Sequence, residues 1–277
     1  MRRIAHISDL HFGAEDPTVV AALRETLIAE RPDLVVVSGD LSQRARTEQF
    51  VAADAFLSAL EMAGLHVLVV PGNHDVPMHK PLARLFWPLR RYRRIVVRER
   101  SCFFADDEVA VLGLASAHGL TVKDGRLTRL QVRSIGDRFA DTPRGATRIL
   151  VTHHPLVPLP DAGREELEPA LSGARRALKA VRRADVHLVL AGHHHAHGVL
   201  FAGPALSIDP AVMVVQAGTA TSWRRRGLPN SFNLIEVTAR NRVTVAEWTS
   251  DGAGFAAARV SAYARDAGGG WRATPAP

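Results

Sequence analysis

Leu190-Ala-Gly-His-His-His-Ala-His-Gly198 sets the first expectation for the fold of this 277-residue chain. The stretch closes a short apolar run, which predicts a buried strand that ends at a glycine. Residues two apart in an extended segment point to the same side, so we expect His193 and His195 to reach one point while His194 faces away. A divalent ion takes about four ligands. The other ligands must therefore come from elsewhere in the chain.

Four further polar clusters each follow an apolar run of the kind that forms strands. They are Ser8-Asp-Leu-His-Phe-Gly13, Ser38-Gly-Asp-Leu41, Pro71-Gly-Asn-His-Asp75 and His153-His-Pro155. Helical patterns over 17–30 and 47–63 separate the first three apolar runs, at 4–7, 34–37 and 66–70. The order of strand, helix and strand predicts βαβ units whose strands end on one rim of a sheet. Ligand sites gather at such rims, so we expect the three clusters that follow these strands to converge.

The rest of the pattern predicts further strands, two more helices and a second sheet. Strands are expected at 102–104, 109–115, 147–152 and 186–191, and helices at 128–139 and from Glu168 or Pro169 to Arg183. An antiparallel alternation, expected to form a second sheet packed on the first, runs through 212–216, 233–238 and 243–248. We place one domain at residues 1–250 and expect the Ala- and Gly-rich residues 251–277 to be a tail with a mobile end.

Composition narrows the class of protein. Hydrophobic residues make up 47% of the chain and charged residues 23%, which predicts a sizeable core rather than disorder. The single cysteine, Cys102, excludes an internal disulfide framework and fits a reducing compartment. The sequence shows no signal segment and no apolar run of about 20 residues, so we expect a cytoplasmic protein without a membrane span. The net charge of +7 favours anionic partners: phosphate esters, nucleic acid or an acidic membrane face.

The positive charge is concentrated in one aromatic segment, residues 76–100, which we interpret as an excursion from the core. Between Lys80 and Arg100 the chain has eight basic residues and a single acidic residue, Glu99. We hypothesise a cap over the metal rim, in which Arg90 and Arg94 hold phosphate oxygens and aromatic rings stack a base or a lipid chain. A surface excursion that closes a homodimer interface is the alternative. A second cluster, Arg224-Arg-Arg226, fits a substrate-binding role and a solvated face equally well.

The clusters together offer more ligands than one ion needs. They contain two carboxylates, one amide oxygen and four imidazoles, from Asp9, Asp40, Asn73, His11, His153, His193 and His195. This mixture suits two transition ions that share a ligand, and Asp40, on the middle of the first three strands, is the candidate bridge because a carboxylate has two oxygens. Two ions about 3.5–4 Å apart can clamp the attacking and leaving oxygens of an in-line displacement at phosphorus, with the water between them ionised as the nucleophile.

The motifs of these clusters are Asp9-Leu-His11, Gly39-Asp40, Gly72-Asn-His-Asp75, His153 and Gly192-His-His-His195. As a set they resemble the motifs of the calcineurin-like metallophosphoesterases. The resemblance implies an α/β fold of two packed mixed β-sheets flanked by helices, in four layers, with a dinuclear site of Mn, Fe or Zn at one rim. By this resemblance Asp9, His11 and His195 hold one ion, Asn73, His153 and His193 hold the other, and Asp40 bridges them. His74 then faces the phosphate as a transition-state donor or general acid. Asn73 and His154 are further candidates for substrate contact.

Departures from individual subgroups narrow the expected function. Gly39-Asp-Leu-Ser-Gln-Arg44 lacks the second aspartate and the Asp-Arg-Gly of the Ser/Thr protein phosphatases, and Asn73-His74 differs from the Asn-Arg of the lipid-A-pathway pyrophosphate hydrolases. The motifs are most similar to the bacterial class III cyclic-nucleotide and glycerophosphodiester phosphodiesterases. We therefore expect a phosphodiesterase for a small diester such as a cyclic nucleotide. A phosphomonoesterase, a nuclease, a hydrolase of a phospholipid or nucleotide-sugar lipid at a membrane surface, and a non-catalytic scaffold remain as alternatives; nucleic acid is the less favoured partner.

Overall fold

Two large β-sheets pack face to face with helices on their outer faces. The computed structural model describes residues 1–97, 100–157, 171–201, 211–224, 227–239 and 241–276. The strands are β1 Arg2–Ile7, β2 Leu34–Val37, β3 His66–Val69, β4 Phe103–Ala105, β5 Val109–Gly113, β6 Gly125–Arg126, β7 Thr147–Val151, β8 Leu171–Ser172, β9 Leu188–Ala191, β10 Gly198–Phe201, β11 Met213–Gln216, β12 Ser231–Ala239, β13 Arg242–Ser250, β14 Phe255–Arg265 and β15 Trp271–Thr274. The helices are α1 Pro17–Glu30, α2 Thr47–Met62, α3 Pro81–Phe86, α4 Arg90–Ile95, α5 Arg129–Ala140 and α6 Ala174–Arg183.

Both sheets are mixed, as expected. The first has seven strands in the order β15-β14-β13-β12-β1-β2-β3, of which β1, β2 and β3 run parallel. The second has six strands in the order β10-β11-β9-β7-β5-β4, with β11, β9, β7 and β5 parallel. Strands β6 and β8 form a small separate pair. The predicted α/β class with two packed mixed sheets is confirmed.

Three hydrophobic clusters fill the spaces between the four layers. Leu23 of α1 and Phe50 of α2 pack on the outer face of the first sheet. Val36 and Val151 belong to the cluster between the sheets. Phe139 of α5 belongs to the cluster on the outer face of the second sheet. Continuous apolar strands such as Leu34–Val37 are buried on both faces by this arrangement, as parallel strands usually are.

The membership of the second sheet was predicted wrongly. Strand β11 pairs in parallel with β9, whereas β12 and β13 belong to the first sheet, where β12 pairs antiparallel with β1. Alternation of apolar and polar residues reports which face of a strand is buried. It carries no information on which neighbour the strand pairs with, and the free edge of β1 was not visible in the sequence.

The tail expected after residue 250 also requires correction, because residues 255–265 and 271–274 form strands β14 and β15 of the first sheet. Tyr263 and Trp271 are buried in the core between the sheets. The Ala- and Gly-rich composition concealed these two inward-pointing aromatic residues. The helix expected from Glu168 or Pro169 to Arg183 begins only at Ala174, as α6, because Leu171–Ser172 form strand β8. Residues 168 and 169 lie outside the described part of the chain.

Candidate metal centre

The turns after β1, β2, β3, β7 and β9 meet at one edge of the two sheets, and their backbones are unusual. Eight described residues other than glycine have a positive φ, and five of them are predicted metal ligands: Asp9, His11, Asp40, His193 and His195. Such conformations are uncommon for residues with a Cβ and persist where the surrounding structure holds them, often at functional sites. His193 and His195 stand in left-handed backbone, with φ of 78° and 59°, rather than in an extended strand. The strand alternation assumed from the sequence therefore does not apply, and the two imidazoles enter different ligand groups instead of reaching one point.

The first group of ligand atoms consists of Asp9 Oδ1, His11 Nε2 and His195 Nε2. Asp9 Oδ1 lies 3.6 Å from His11 Nε2 and 3.7 Å from His195 Nε2. Asp9 Oδ1 and both ring nitrogens of His11 are buried without a hydrogen-bond partner. Atoms that share an ion at about 2.1 Å lie about 3.0–3.4 Å from one another, so small side-chain rotations bring these three to one cation. A cation would satisfy buried polar atoms that otherwise carry a large desolvation cost.

The second group is centred on the amide oxygen of Asn73. This Oδ1 atom lies 3.1 Å from His153 Nε2 and 3.1 Å from His193 Nδ1. Asn73 stands at the start of a short 3₁₀ turn after β3, and the two histidines follow β7 and β9 of the other sheet. The spacing again fits ligands of a single ion.

Asp40 connects the two groups through one oxygen. Its Oδ2 lies 3.7 Å from His11 Nε2 and 3.4 Å from His153 Nε2. Its Oδ1 accepts a hydrogen bond from the His74 backbone N–H at 2.8 Å. Oδ2 thus stands between the two groups, while the hydrogen bond to Oδ1 fixes the orientation of the carboxylate. The two adjoining groups form a candidate site for two metal ions, and the bridging role of Asp40 stays a prediction.

Hydrogen bonds outside the ligand set orient the imidazoles. His153 Nδ1 donates to the Ser38 carbonyl at 2.8 Å. His195 Nδ1 lies 2.5 Å from the Thr219 hydroxyl, and the tautomer that leaves Nε2 free for a metal has Nδ1 donating. Such contacts fix the ring orientation of metal-binding histidines. Thr219 was not recognised in the sequence, although it follows β11, whose carboxyl end lies beside that of β9.

Asp75 holds the turns after β2 and β3 together. Its Oδ1 accepts from the Ser42 backbone N–H and hydroxyl, both at 2.8 Å. Its Oδ2 accepts from the backbone N–H groups of Leu41 at 3.1 Å and Gly72 at 2.9 Å. The pKa of Asp75 is raised to about 6 by burial and by the Asp40 carboxylate, against the effect of these hydrogen bonds. Its role is therefore to fix the turns, as the sequence suggested, rather than to bind metal.

The pKa shifts of His193, His195 and Asp40 suit metal binding, whereas that of His153 opposes it. Burial lowers the pKa of His193 to about 3 and that of His195 to about 4. Burial alone would raise the pKa of the Asp40 carboxyl, but His153 and His11 hold it well below its usual range. Although burial opposes it, Asp40 raises the pKa of His153 to about 9. Metals bind neutral imidazoles and ionised carboxylates, so ion binding at His153 has to displace a proton.

Two motif glycines are required because ligands approach their backbone closely. A Cβ atom on Gly39, whose φ is +101°, would stand 2.6 Å from His153 Nδ1. A Cβ atom on Gly72 would overlap the Oδ1 atom of Asp40. Each glycine thus leaves space for a ligand residue that follows another strand, His153 at Gly39 and Asp40 at Gly72.

The residues expected to contact substrate have different surroundings. His74 stands at the edge of the cluster: its Nδ1 donates to the Gln43 carbonyl at 2.8 Å, and its Nε2 accepts from the Arg224 guanidinium at 2.8 Å. The pKa of His74 is lowered, because the effects of burial, His11 and Arg224 outweigh that of Asp40, which raises it. His154 is buried, with its Nδ1 2.8 Å from the Ser116 hydroxyl and its Nε2 2.8 Å from the Lys123 carbonyl.

The structure does not bring Arg90 and Arg94 to the metal ligands. Both line a cavity of 550 Å³ against α2, together with Thr47, Val51 and Trp87, and no predicted metal ligand lines that cavity. Arg224 takes the position beside His74 instead. Arg224 and Arg44 line a cavity of 220 Å³ next to His74. The other two arginines of the sequence cluster at 224–226 lie outside the described residues.

Comparison with known proteins agrees with this geometry. The model of the calcineurin-like phosphoesterase family matches residues 2–197, and the chain belongs to this family. A curated relative, the glycerophosphodiester phosphodiesterase GpdQ of Enterobacter lignolyticus (strain SCF1), is 28% identical over 212 residues, which cover 69% of this chain and 70% of the relative. The protein is thus a phosphoesterase of a family that works with two metal ions.

Solved structures share the fold at low sequence identity. A dimetal phosphatase from Danio rerio is 13% identical, with a TM-score of 0.60 over 89% of this chain and 95% of that one. A purple acid phosphatase from yellow lupin is 14% identical, with a TM-score of 0.69 over 97% of this chain and 54% of that one. Among the described helices, none has the length and apolarity needed to cross a membrane. The expected cytoplasmic location and the homodimer stay predictions.

Proposed function

We propose that this protein is a dinuclear metal-dependent phosphodiesterase for a small phosphodiester. The observation that carries the proposal is the pair of ligand groups joined at Asp40 Oδ2, with His74 and Arg224 at their edge. When bound, two metal ions supply Lewis-acid polarisation of the phosphate and an ionised water. Their identity, among Mn, Fe and Zn, is left open because Asp, His and Asn accept each of these metals.

Each ligand residue has a defined part in this proposal. Asp9, His11 and His195 hold one ion, Asn73, His153 and His193 hold the other, and Asp40 holds both. These seven side chains fit the set because their donor atoms lie close together and the pKa values of both carboxyls, Asp9 and Asp40, are lowered. Asp75 and Thr219 act through them as positioning residues.

His74 and Arg224 are proposed to contact the phosphoryl group. The Arg224 guanidinium presents rigid N–H donors that suit phosphate oxygens, and its position 2.8 Å from His74 Nε2 brings both groups to one point. A phosphate oxygen that enters between them accepts from Arg224. His74 Nε2 has no proton in the observed arrangement, since Nδ1 donates to Gln43. To act as a general acid, His74 must take up a second proton as the dianionic transition state develops.

A cavity of 220 Å³ next to His74 offers room for an organic substituent of the phosphate ester. Gln43, Val76 and Met78 line this cavity together with Arg44, so its wall combines apolar and cationic groups. The GpdQ relative acts on a phosphodiester, which supports the choice of a diester over a monoester.

Steady-state kinetics of manganese-loaded protein tests the proposal. We expect kcat/KM for bis-p-nitrophenyl phosphate to exceed that for p-nitrophenyl phosphate by about tenfold or more, the effect of about 1.4 kcal/mol in transition-state binding. Cyclic AMP and glycerophosphoethanolamine extend the comparison to natural leaving groups. Asp40→Asn should abolish turnover, whereas His66→Gln, at an exposed strand position, should not. A preference for the monoester would instead identify a phosphomonoesterase, and inactive protein with two bound ions would refute the enzyme assignment.

A further inference from the structure

Exposed apolar side chains gather on one part of the surface beside the metal centre. The set, here called the rim patch, consists of Met78, Leu82, Leu85, Phe86, Trp87, Leu120 and Val122. Leu82 is 70% exposed, and Phe86 and Leu120 are each 62% exposed. Single exposed apolar residues are common on proteins, but a contiguous group of them marks an interaction surface.

The two segments that form the rim patch are in direct contact. The Arg84 guanidinium of α3 donates to the Thr121 carbonyl of the loop that carries Leu120 and Val122. A Cβ atom on Gly119 would overlap the Arg84 carbonyl oxygen, so the loop lies against the end of α3. The apolar side chains of both segments therefore belong to one surface.

The rim patch borders the metal centre on two sides. Met78 lines the cavity next to His74. The loop of Leu120 and Val122 continues to Lys123, whose carbonyl is 2.8 Å from His154 Nε2. Whatever covers the patch therefore lies next to the entrance of the site.

The charge around the rim patch selects an anionic partner. Residues 76–97 contain six Lys or Arg residues and no Asp or Glu. Lys80, Arg93 and Arg94 are exposed, and the neighbouring loop adds exposed Lys123 together with one acid, Asp124. A second copy of this chain would bring the same excess of positive charge against itself, and like charges across an interface are unfavourable. Acidic phospholipids combine the required negative charge with an apolar layer.

We propose that the rim patch docks the protein on an acidic lipid surface. The apolar side chains of α3 and of the 120–122 loop enter the boundary between headgroups and acyl chains, while the surrounding Lys and Arg side chains reach lipid phosphates. Docking in this way brings the cavity beside His74 close to the headgroups. The protein binds the surface peripherally.

Co-sedimentation with lipid vesicles tests this proposal without any measurement of hydrolysis. We expect the protein to bind phosphatidylcholine vesicles that contain phosphatidylglycerol, and to bind pure phosphatidylcholine vesicles much less. Leu82→Ser/Phe86→Ser should weaken binding by about tenfold or more, since the burial of large apolar side chains in the lipid boundary drives the docking. Met62→Ser/Val260→Ser, two exposed apolar residues elsewhere, should leave binding unchanged. Circular dichroism confirms that each variant is folded.

Three results would overturn the proposal. The first is wild-type protein that stays in the supernatant with acidic vesicles. The second is binding that survives Leu82→Ser/Phe86→Ser but is lost in Arg175→Gln/Lys179→Gln on the basic helix α6, which would assign lipid binding to another face. The third is a dimer in light scattering that Leu82→Ser/Phe86→Ser converts to a monomer without any lipid binding, which would make the patch a dimer interface. None of these results affects the proposed hydrolysis, which is measured on soluble esters.

Discussion

Replacement of Asp75 by Asn tests whether the two turns that carry Asp40 and Asn73 are held together by one carboxylate. The carboxylate accepts four hydrogen bonds, from the N–H groups of Leu41, Ser42 and Gly72 and from the Ser42 hydroxyl. An amide keeps one accepting oxygen and turns an NH₂ group toward two donors. Two hydrogen bonds to a charged acceptor are lost, each worth about 1.5–3 kcal/mol. The neutral amide also escapes the burial and the Asp40 charge that raise the pKa of Asp75 to about 6, which offsets part of this loss. We therefore expect the free energy of unfolding to fall by up to about 3 kcal/mol.

Urea unfolding of the metal-free protein measures this change, with Asp137→Asn as the control because Asp137 is an exposed carboxylate on α5. A loss of about 3 kcal/mol is a large part of the roughly 5–15 kcal/mol that stabilises most domains. Manganese titration by calorimetry gives the second readout: displacement of the turns should weaken ion binding by about 10–100-fold. If Asp75→Asn matches the control within about 0.5 kcal/mol and binds manganese normally, Asp75 does not fix the turns.

Three further predictions concern individual residues. Gly72→Ala should weaken manganese binding by more than about tenfold, because the new Cβ atom displaces the Asp40 carboxylate. The control Gly136→Ala, in α5, has open space around the new Cβ atom and should remain stable in urea unfolding. The unfolding free energy should fall less steeply between about pH 6.5 and 5 in His187→Gln, with a slope smaller by up to about 1.4 kcal/mol per pH unit. The control His66→Gln, at an exposed position, should leave this slope unchanged. His74→Ala should slow an alkyl diester by about 10²–10⁴-fold but a p-nitrophenyl diester less, since only the alkoxide needs a proton; equal losses would reject the general-acid role.

The sign of the pH effect follows from the burial of His187. Burial, Arg265 and Arg148 lower the pKa of His187 from 6.5 to about 3. The folded protein therefore keeps this imidazole neutral in a range where the unfolded chain binds a proton. Its contribution to stability is complete above about pH 6.5 and is lost as the pH falls toward 3, because protons then favour the unfolded state. An unfolding free energy with the same pH slope in His187→Gln would contradict this account.

Four of the six described helices and the ends of the strands that carry the motifs could be predicted from the sequence, because both have local causes. Helices α3 and α4, within the segment interpreted as an excursion, were not predicted. Asp16 and Pro17 begin α1 as a cap and a first-turn proline, and the Asp16 side chain accepts from the Thr18 N–H. Thr128 caps α5 with Gln131 in the same way. The five polar clusters were visible because each interrupts an apolar run. The convergence of the clusters after β1, β2 and β3 could be expected from their parallel βαβ order.

Other features depend on contacts between distant segments and had no local signal. The pairing of β12 with β1 joins residues more than two hundred positions apart. The left-handed backbone at His193 and His195 is fixed by the surrounding turns, including the bond from the His193 N–H to Asp9 Oδ2 at 3.1 Å. Arg224 was visible only as part of a basic run. Its contact with His74 arises because the loop after β11 returns to the rim, where the Trp223 N–H donates to the Ala14 carbonyl.

The distribution of ligands between the sheets explains why the motifs are so widely spaced. Asp9, His11, Asp40 and Asn73 follow strands of the first sheet, whereas His153, His193 and His195 follow strands of the second. Each ligand group draws on both sheets, so neither sheet alone can assemble a site. The apolar layer between the sheets therefore sets the distances at the rim, because it fixes how β1 and β2 stand against β7 and β9. Correct packing of the two sheets is therefore a condition for bringing the candidate metal ligands together.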